Sequence, residues 1–122
     1  MSRSPRSRTW CFTLNNPAMP AVGFTSVSPP TLRYVIIGNE VGASGTPHLQ
    51  GYVVFHNAVT MASVVALYPG AHCEIRKGSH EQARDYCKKD GDWSEAGVEP
   101  MSQQQKGEKG KQSIQERWAL AL

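Results

Sequence analysis

With 122 residues, 39% of them hydrophobic, the chain has material for one modest core and a tail. A formal charge of +3 permits a phosphate-bearing partner without requiring one, and no apolar run suggests a membrane span or a signal peptide. Cys11, Cys73 and Cys87 are odd in number and contain no C-x-x-C pair, which argues against a disulfide framework or a structural zinc site and for reduced thiols in an intracellular compartment.

Residues 1–8, with Arg3, Arg6 and Arg8, read as a flexible basic lead suited to nucleic acid, nuclear import or plain solubility. Residues 9–14 alternate as a strand, Trp10, Phe12 and Leu14 inward and Cys11, Thr13 and Asn15 outward, and Asn16-Pro17 ends it. Residues 18–31 hold Pro20, Gly23, Pro29 and Pro30 and predict a loop with at most a short helix. Residues 32–39 form a β-branched, well-covered strand, closed by Glu40. A glycine-bearing connection follows, and Pro47 opens the return strand 48–55. His48 and Gln50 share one face of that strand, with Leu49, Val53 and Phe55 on the other. If Gly38 pairs with Gln50, Glu40 joins His48 on its face, because antiparallel partners keep a constant index sum.

Asn57 is placed to cap a helix over 58–67, which Pro69-Gly70 stops. Residues 71–76 alternate again, Cys73 and Ile75 in, His72, Glu74 and Arg76 out. Ser79 and Gln82 then fit a capping box, and Gly91 marks the end of a helix of about three turns. Its Gln82, Tyr86 and Lys89 share a face beside a small apolar stripe of Ala83 and Cys87. Residues 93–98 suggest an edge strand, and 101–122 have linker composition followed by the start of another segment. The order predicts an α+β fold: one central antiparallel sheet with helices packed on one face, ferredoxin-like or RNA-recognition-like.

On the exposed face Glu40, His48 and Gln50 would gather a carboxylate, an imidazole and an amide oxygen. That set suits Mg²⁺ or Mn²⁺ and leaves coordination positions for water and a phosphate oxygen. A phenol is a poor nucleophile until a metal-bound phosphate or a neighbouring cation favours its anion. Tyr86 would then attack a phosphodiester and become a phosphotyrosine, with Lys89 one turn on to stabilise the phosphate or move protons. Singly, His48 also reads as a strand histidine bonded to a loop, and Tyr86 as a half-buried aromatic. Arg76, Lys77 and Arg84 are candidate phosphate contacts, and Lys88 a backbone clamp or a solvated cation. Tyr52, Tyr34 and Trp10 are either stacking platforms or core.

Phe12-Thr13-Leu14-Asn15-Asn16, Pro47-His48-Leu49-Gln50-Gly51 and Asp85-Tyr86-Cys87-Lys88-Lys89-Asp90-Gly91 resemble, in order and spacing, the three motifs of replication-initiator (Rep) proteins of circular single-stranded DNA viruses. The likeness is to the circovirus and cyclovirus branch and runs from about Thr9 to Pro100. It implies an HUH endonuclease domain over 9–100, a metal-dependent nickase and strand-joining nucleotidyltransferase that starts rolling-circle replication in the host nucleus. The implied partner is single-stranded DNA at a stem-loop origin; separately, the C-terminal segment leaves an oligomer open in the full-length protein. By position, Tyr86 resembles the nucleophile, Lys89 the lysine of its motif, and His48, Gln50 and Glu40 the metal ligands, Gln50 replacing a histidine of the general pattern. Thr13, Asn15 and Asn16 resemble the motif associated with origin recognition. Relatives also carry a helicase domain, whose G-x-x-x-x-G-K-[ST] loop has no counterpart here. Two rivals remain on the residues alone: a non-catalytic recognition module, and a metal phosphodiesterase that uses water.

Overall fold

The computed structural model describes residues 4–100. The elements are β1 (Arg6–Asn15), α1 (Ala21–Thr25), β2 (Leu32–Val41), β3 (Pro47–Thr60), α2 (Met61–Leu67), β4 (His72–Ile75), α3 (His80–Lys88) and β5 (Trp93–Gly97). The strands form one antiparallel sheet in the order β4-β1-β3-β2-β5. From β1 to β4 this is the expected ferredoxin-like βαββαβ unit. The helix α3 and the edge strand β5 are added to it.

Strand alternation builds the main core as expected. Trp10, Phe12, Leu14, Leu49, Val53 and Phe55 point to one face and are closed by Ala21 of α1 and by Val64 and Tyr68 around α2. The Phe12 ring stacks on Tyr68 at 4.2 Å, in space that Gly51 leaves open, since a β-carbon at Gly51 would overlap the ring. Each such side chain contributes about 1.5–3 kcal/mol when fully buried.

The opposite face is also apolar in the middle, and here the expectation of helices on one face needs correction. Tyr34, Ile36, Tyr52 and Val54 lie on this side, and α3 covers them with Ala83 and Cys87. Because β2 and β3 are apolar on both sides, an uncovered second face would leave those side chains in water. The stripe is small, so the helix sits close: a β-carbon at Gly38 would overlap the Cys87 carbonyl. Tyr34, Tyr52 and Trp10 are core residues, each no more than 2% exposed.

The helix expected over 58–67 begins only at Met61, with Thr60 rather than Asn57 at its N-cap. The reason lies across the sheet. After an irregularity between Ser7 and Thr9, Arg6 and Ser7 pair with Thr60 and Val59 and hold β3 extended. The same pairing starts β1 at Arg6 rather than Thr9. Helix α1 is the short element anticipated, its first amide donated to the Asn39 side chain at 2.8 Å. The α3 capping box is fully formed: the Gln82 amide donates to Ser79 Oγ (3.1 Å) and the Ser79 amide to Gln82 Oε1 (2.8 Å). Beyond it, Gly91 takes φ +80°, a conformation that favours glycine. No helix among the described residues is long and apolar enough to cross a membrane. The linker expected at 101–122 lies outside the described residues.

Candidate active site

The register between β2 and β3 pairs Gly38 with Gln50, and so sets Glu40 directly across from His48. His48 Nε2 lies 2.9 Å from Glu40 Oε1. The Glu40 side chain is only 4% exposed, and a carboxylate so placed is costly unless a cation or donors meet it. Its second oxygen meets the ammonium of Lys89, just past the end of α3, its only partner among the described residues. Burial alone would lower the Lys89 ammonium, but the hydrogen bond and charge of Glu40 outweigh it and hold it above its ordinary value.

Gln50 stands two residues beyond His48 on the same face. Its amide is held from both ends: Nε2 donates to the Phe12 carbonyl (3.2 Å), and Oε1 accepts from the Thr13 hydroxyl (3.0 Å). A carbonyl oxygen has a second lone pair, so Gln50 retains an acceptor whose direction is fixed. Among the described residues no three His, Cys, Asp or Glu side chains cluster for a metal, and the Gln50 amide oxygen is the candidate third donor on the face of Glu40 and His48. One carboxylate oxygen, one imidazole and one amide oxygen, around a buried carboxylate that already attracts an ammonium, are a donor set that fits a hard divalent cation.

Tyr86 is 53% exposed, and its ring centroid is 4.5 Å from the Lys89 ammonium. One cation therefore touches both the buried carboxylate and the phenol ring. Tyr86 also lines an open groove with Thr13, Gln50, Lys77 and Gln82, whereas Lys89, expected on the same helix face, turns to Glu40. Beneath it the Cys87 thiol is pushed up to about 12, first by burial and then by Cys11 and Glu40. It is packing material rather than a competing nucleophile.

The remaining candidates spread around this centre. Asn15 is exposed at the end of β1, opposite His48 in the register. Asn16 adopts φ 51° and donates its amide to the Pro47 carbonyl at 2.9 Å, tying the first-motif turn to the start of β3. Lys77 is exposed at the groove. The Lys88 ammonium lies over the Trp93 ring at 4.4 Å. Arg76 donates to the Tyr52 hydroxyl (3.0 Å), and Arg84 is engaged by Asp85 (2.9 Å) and Glu99 (2.6 Å).

One further buried group lies outside the three motifs. The His80 ring is 8% exposed, with Nδ1 2.8 Å from the Tyr52 hydroxyl and Nε2 2.8 Å from Glu99. A signal was available: His80 stands three and seven residues before Ala83 and Cys87, in register with the stripe expected to face inward.

The sheet thus brings an acid–histidine pair and an exposed tyrosine together through the Lys89 ammonium. Residues 7–90 match the family model described as “Putative viral replication protein”. The replication-associated protein of Beak and feather disease virus is 46% identical over 86 residues, covering 70% of this chain and 30% of that protein. That of Pigeon circovirus is 38% identical, covering 73% and 28%, and the master replication protein of Banana bunchy top virus is 40% identical, covering 66% and 27%. The chain belongs to this viral replication protein family, and the resemblance seen in its three motifs holds. It spans about 30% of the length of the first of these relatives.

Proposed function

We propose that this chain is a metal-dependent endonuclease and nucleotidyltransferase that nicks and rejoins single-stranded DNA at a stem-loop origin, so starting rolling-circle replication of a viral genome. Family membership supports a role in viral replication. The observation that carries the chemistry is the run of contacts from His48 through Glu40 and Lys89 to the Tyr86 ring, with Gln50 in the Tyr86 groove. A recognition module alone has no use for a buried carboxylate, a histidine and an exposed phenol joined through one ammonium.

In this reading Glu40, His48 and Gln50 hold Mg²⁺ or Mn²⁺. Bound there, the cation would withdraw charge from a non-bridging phosphate oxygen. Tyr86 gives its proton to solvent and its phenolic oxygen attacks the phosphorus, while the bond to the 3′ oxygen breaks and that oxygen takes a proton from solvent. The products are a 5′-phosphotyrosine and a free 3′ hydroxyl, and the reverse attack joins strands. Lys89 offers its charge to the phenolate and the phosphate. Thr13, through its hydrogen bond to Gln50, fixes the amide that faces the groove. Thr13, Asn15, Asn16, Lys77 and Lys88, with Arg76 and Arg84 where their bonds to Tyr52 and to Asp85 and Glu99 exchange for phosphate, are the candidate DNA contacts. Residues 9–100 are the nuclease unit of this proposal, acting in the host nucleus and in an oligomer of the full-length protein.

The test is incubation with a labelled origin hairpin and Mn²⁺. An adduct that survives denaturation in the native chain and vanishes in Tyr86→Phe is the expected result. Cleavage without an adduct would make the chain a water-using phosphodiesterase, and binding without cleavage a recognition module.

A further inference from the structure

The start of α3 is held by hydrogen bonds that the proposed chemistry does not use. Arg76 Nη1 donates to the Tyr52 oxygen at 3.0 Å, and the Tyr52 hydroxyl lies 2.8 Å from His80 Nδ1. His80 Nε2 lies 2.8 Å from Glu99 Oε2, which also accepts from Arg84 Nη1 at 2.6 Å. One proton arrangement satisfies every link: Tyr52 O–H donates to Nδ1, and Nε2–H donates to the Glu99 carboxylate. Glu99 lies just past β5 in the chain, where the Val98 amide donates to the Arg33 carbonyl at 2.7 Å and keeps this segment against β2. Burial would raise the Glu99 carboxyl, but the hydrogen bonds from His80 and Arg84 outweigh it and hold it below the usual carboxylate range.

What these bonds oppose follows from the shape of the helix. The inward stripe of α3 is His80, Ala83 and Cys87, and the last two are small and nearly featureless. Such contacts resist lifting but resist roll about the helix axis poorly, because a slight turn costs little apolar area. His80 resists it, since both of its ring nitrogens have directional partners. A roll of about 20° moves an atom at the helix surface, roughly 6 Å from the axis, by about 2 Å. An in-line attack needs the reacting atoms within about 3–3.5 Å, and a misplacement of about 1 Å can cost about 100-fold in rate.

We propose that Glu99 and His80 are positioning residues for Tyr86: together they set the roll of α3 and so the aim of the phenol. The inference rests on the nuclease reading above for its effect on rate, though not for its effect on the position of Tyr86.

The experiment uses the 122-residue chain in excess over a labelled origin hairpin with Mn²⁺, under single-turnover conditions and well below the melting temperature of every variant. Glu99→Ala, at the surface end of the network, is expected to slow adduct formation at least about tenfold. Affinity for uncleaved hairpin, measured in a Tyr86→Phe background, should not fall, because the loss of Glu99 removes a negative charge and frees Arg84 for phosphate. Glu99→Gln keeps an acceptor for His80 and should recover most of the rate; His80→Ala should match Glu99→Ala where it folds. With Tyr86 replaced by 3-fluorotyrosine, the ¹⁹F line should shift or broaden in Glu99→Ala and return in Glu99→Gln. An unchanged rate, an unmoved fluorine line, or rate and affinity falling in parallel would overturn the assignment. If the native chain forms no adduct at all the nuclease reading fails, and the fluorine line alone then decides whether Glu99 aims Tyr86.

Discussion

Glu40 governs the electrostatics of the site, because it is buried and has two quite different partners. His48 satisfies one oxygen through a hydrogen bond and Lys89 the other through its charge. Replacing Lys89 with methionine leaves the second oxygen without a cation. The metal-free protein should lose about 1–2 kcal/mol, a value discounted because the ammonium is more than a third exposed. Mn²⁺ should then raise the melting temperature of Lys89→Met by more than that of the native chain, which thermal shift measures directly. Gln50→Ala should lose cleavage at low Mn²⁺ and regain part of it in excess; equal inactivity at every concentration would remove Gln50 from the ligand set. The Glu40–His48 pair was readable from residue numbers, since antiparallel register has simple arithmetic once one partner pair is chosen. The Lys89–Glu40 contact was not, because it depends on how deeply a helix beds into a sheet, which no local pattern encodes.

At the scale of elements, α3 is placed by what its neighbours lack. Gly38 gives the Cys87 carbonyl room that any side chain would fill, and Gly51 does the same for the Phe12 ring on the other face. Gly38→Ala should cost about 1–3 kcal/mol by overpacking and should also displace the tyrosine helix. Adduct formation is therefore expected to fall in Gly38→Ala well beyond its fall in Gly51→Ala, even if urea midpoints show the two equally destabilised. Strand alternation and the capping box made most elements readable, including the edge strand β5, whereas the stretch holding α1 read only as a loop with at most a short helix. The end of β3 was misread because Asn57-Ala58-Val59 is locally a sound helix start. Pairing with Arg6 and Ser7 overrides that preference, and a partner so distant in sequence leaves no local mark.

Over the whole molecule, the sheet carries a layer on each side: α1 and α2 close one core, and α3 closes a smaller one. The βαββαβ order was evident from the succession of patterns, whereas the second layer was hidden because small residues hardly announce burial. The network of Arg76, Tyr52, His80, Glu99 and Arg84 was hidden for another reason: its members come from four separate places and form no motif. It has a consequence for acid stability. The Glu99 carboxyl lies below its ordinary value of 4.5 in the folded chain, so its contribution is fully present above that pH and is lost as pH falls through the lower folded value. The melting-temperature advantage of the native chain over Glu99→Gln should thus hold from neutral pH to about 5 and shrink as the solution is taken below 4.5. An advantage that grew in acid would contradict the assigned sign.

The close contact of Cys87 with Gly38 makes that end of α3 a pivot. At about 1.5 Å of rise per residue, Tyr86 stands almost over the pivot while His80 is about 10 Å out along the arm. A see-saw motion that lifted the far end by several ångströms would barely shift the phenol. Lifting of the first turn is therefore damped before it reaches the Tyr86 hydroxyl, whereas a twist of the whole rod passes through undiminished.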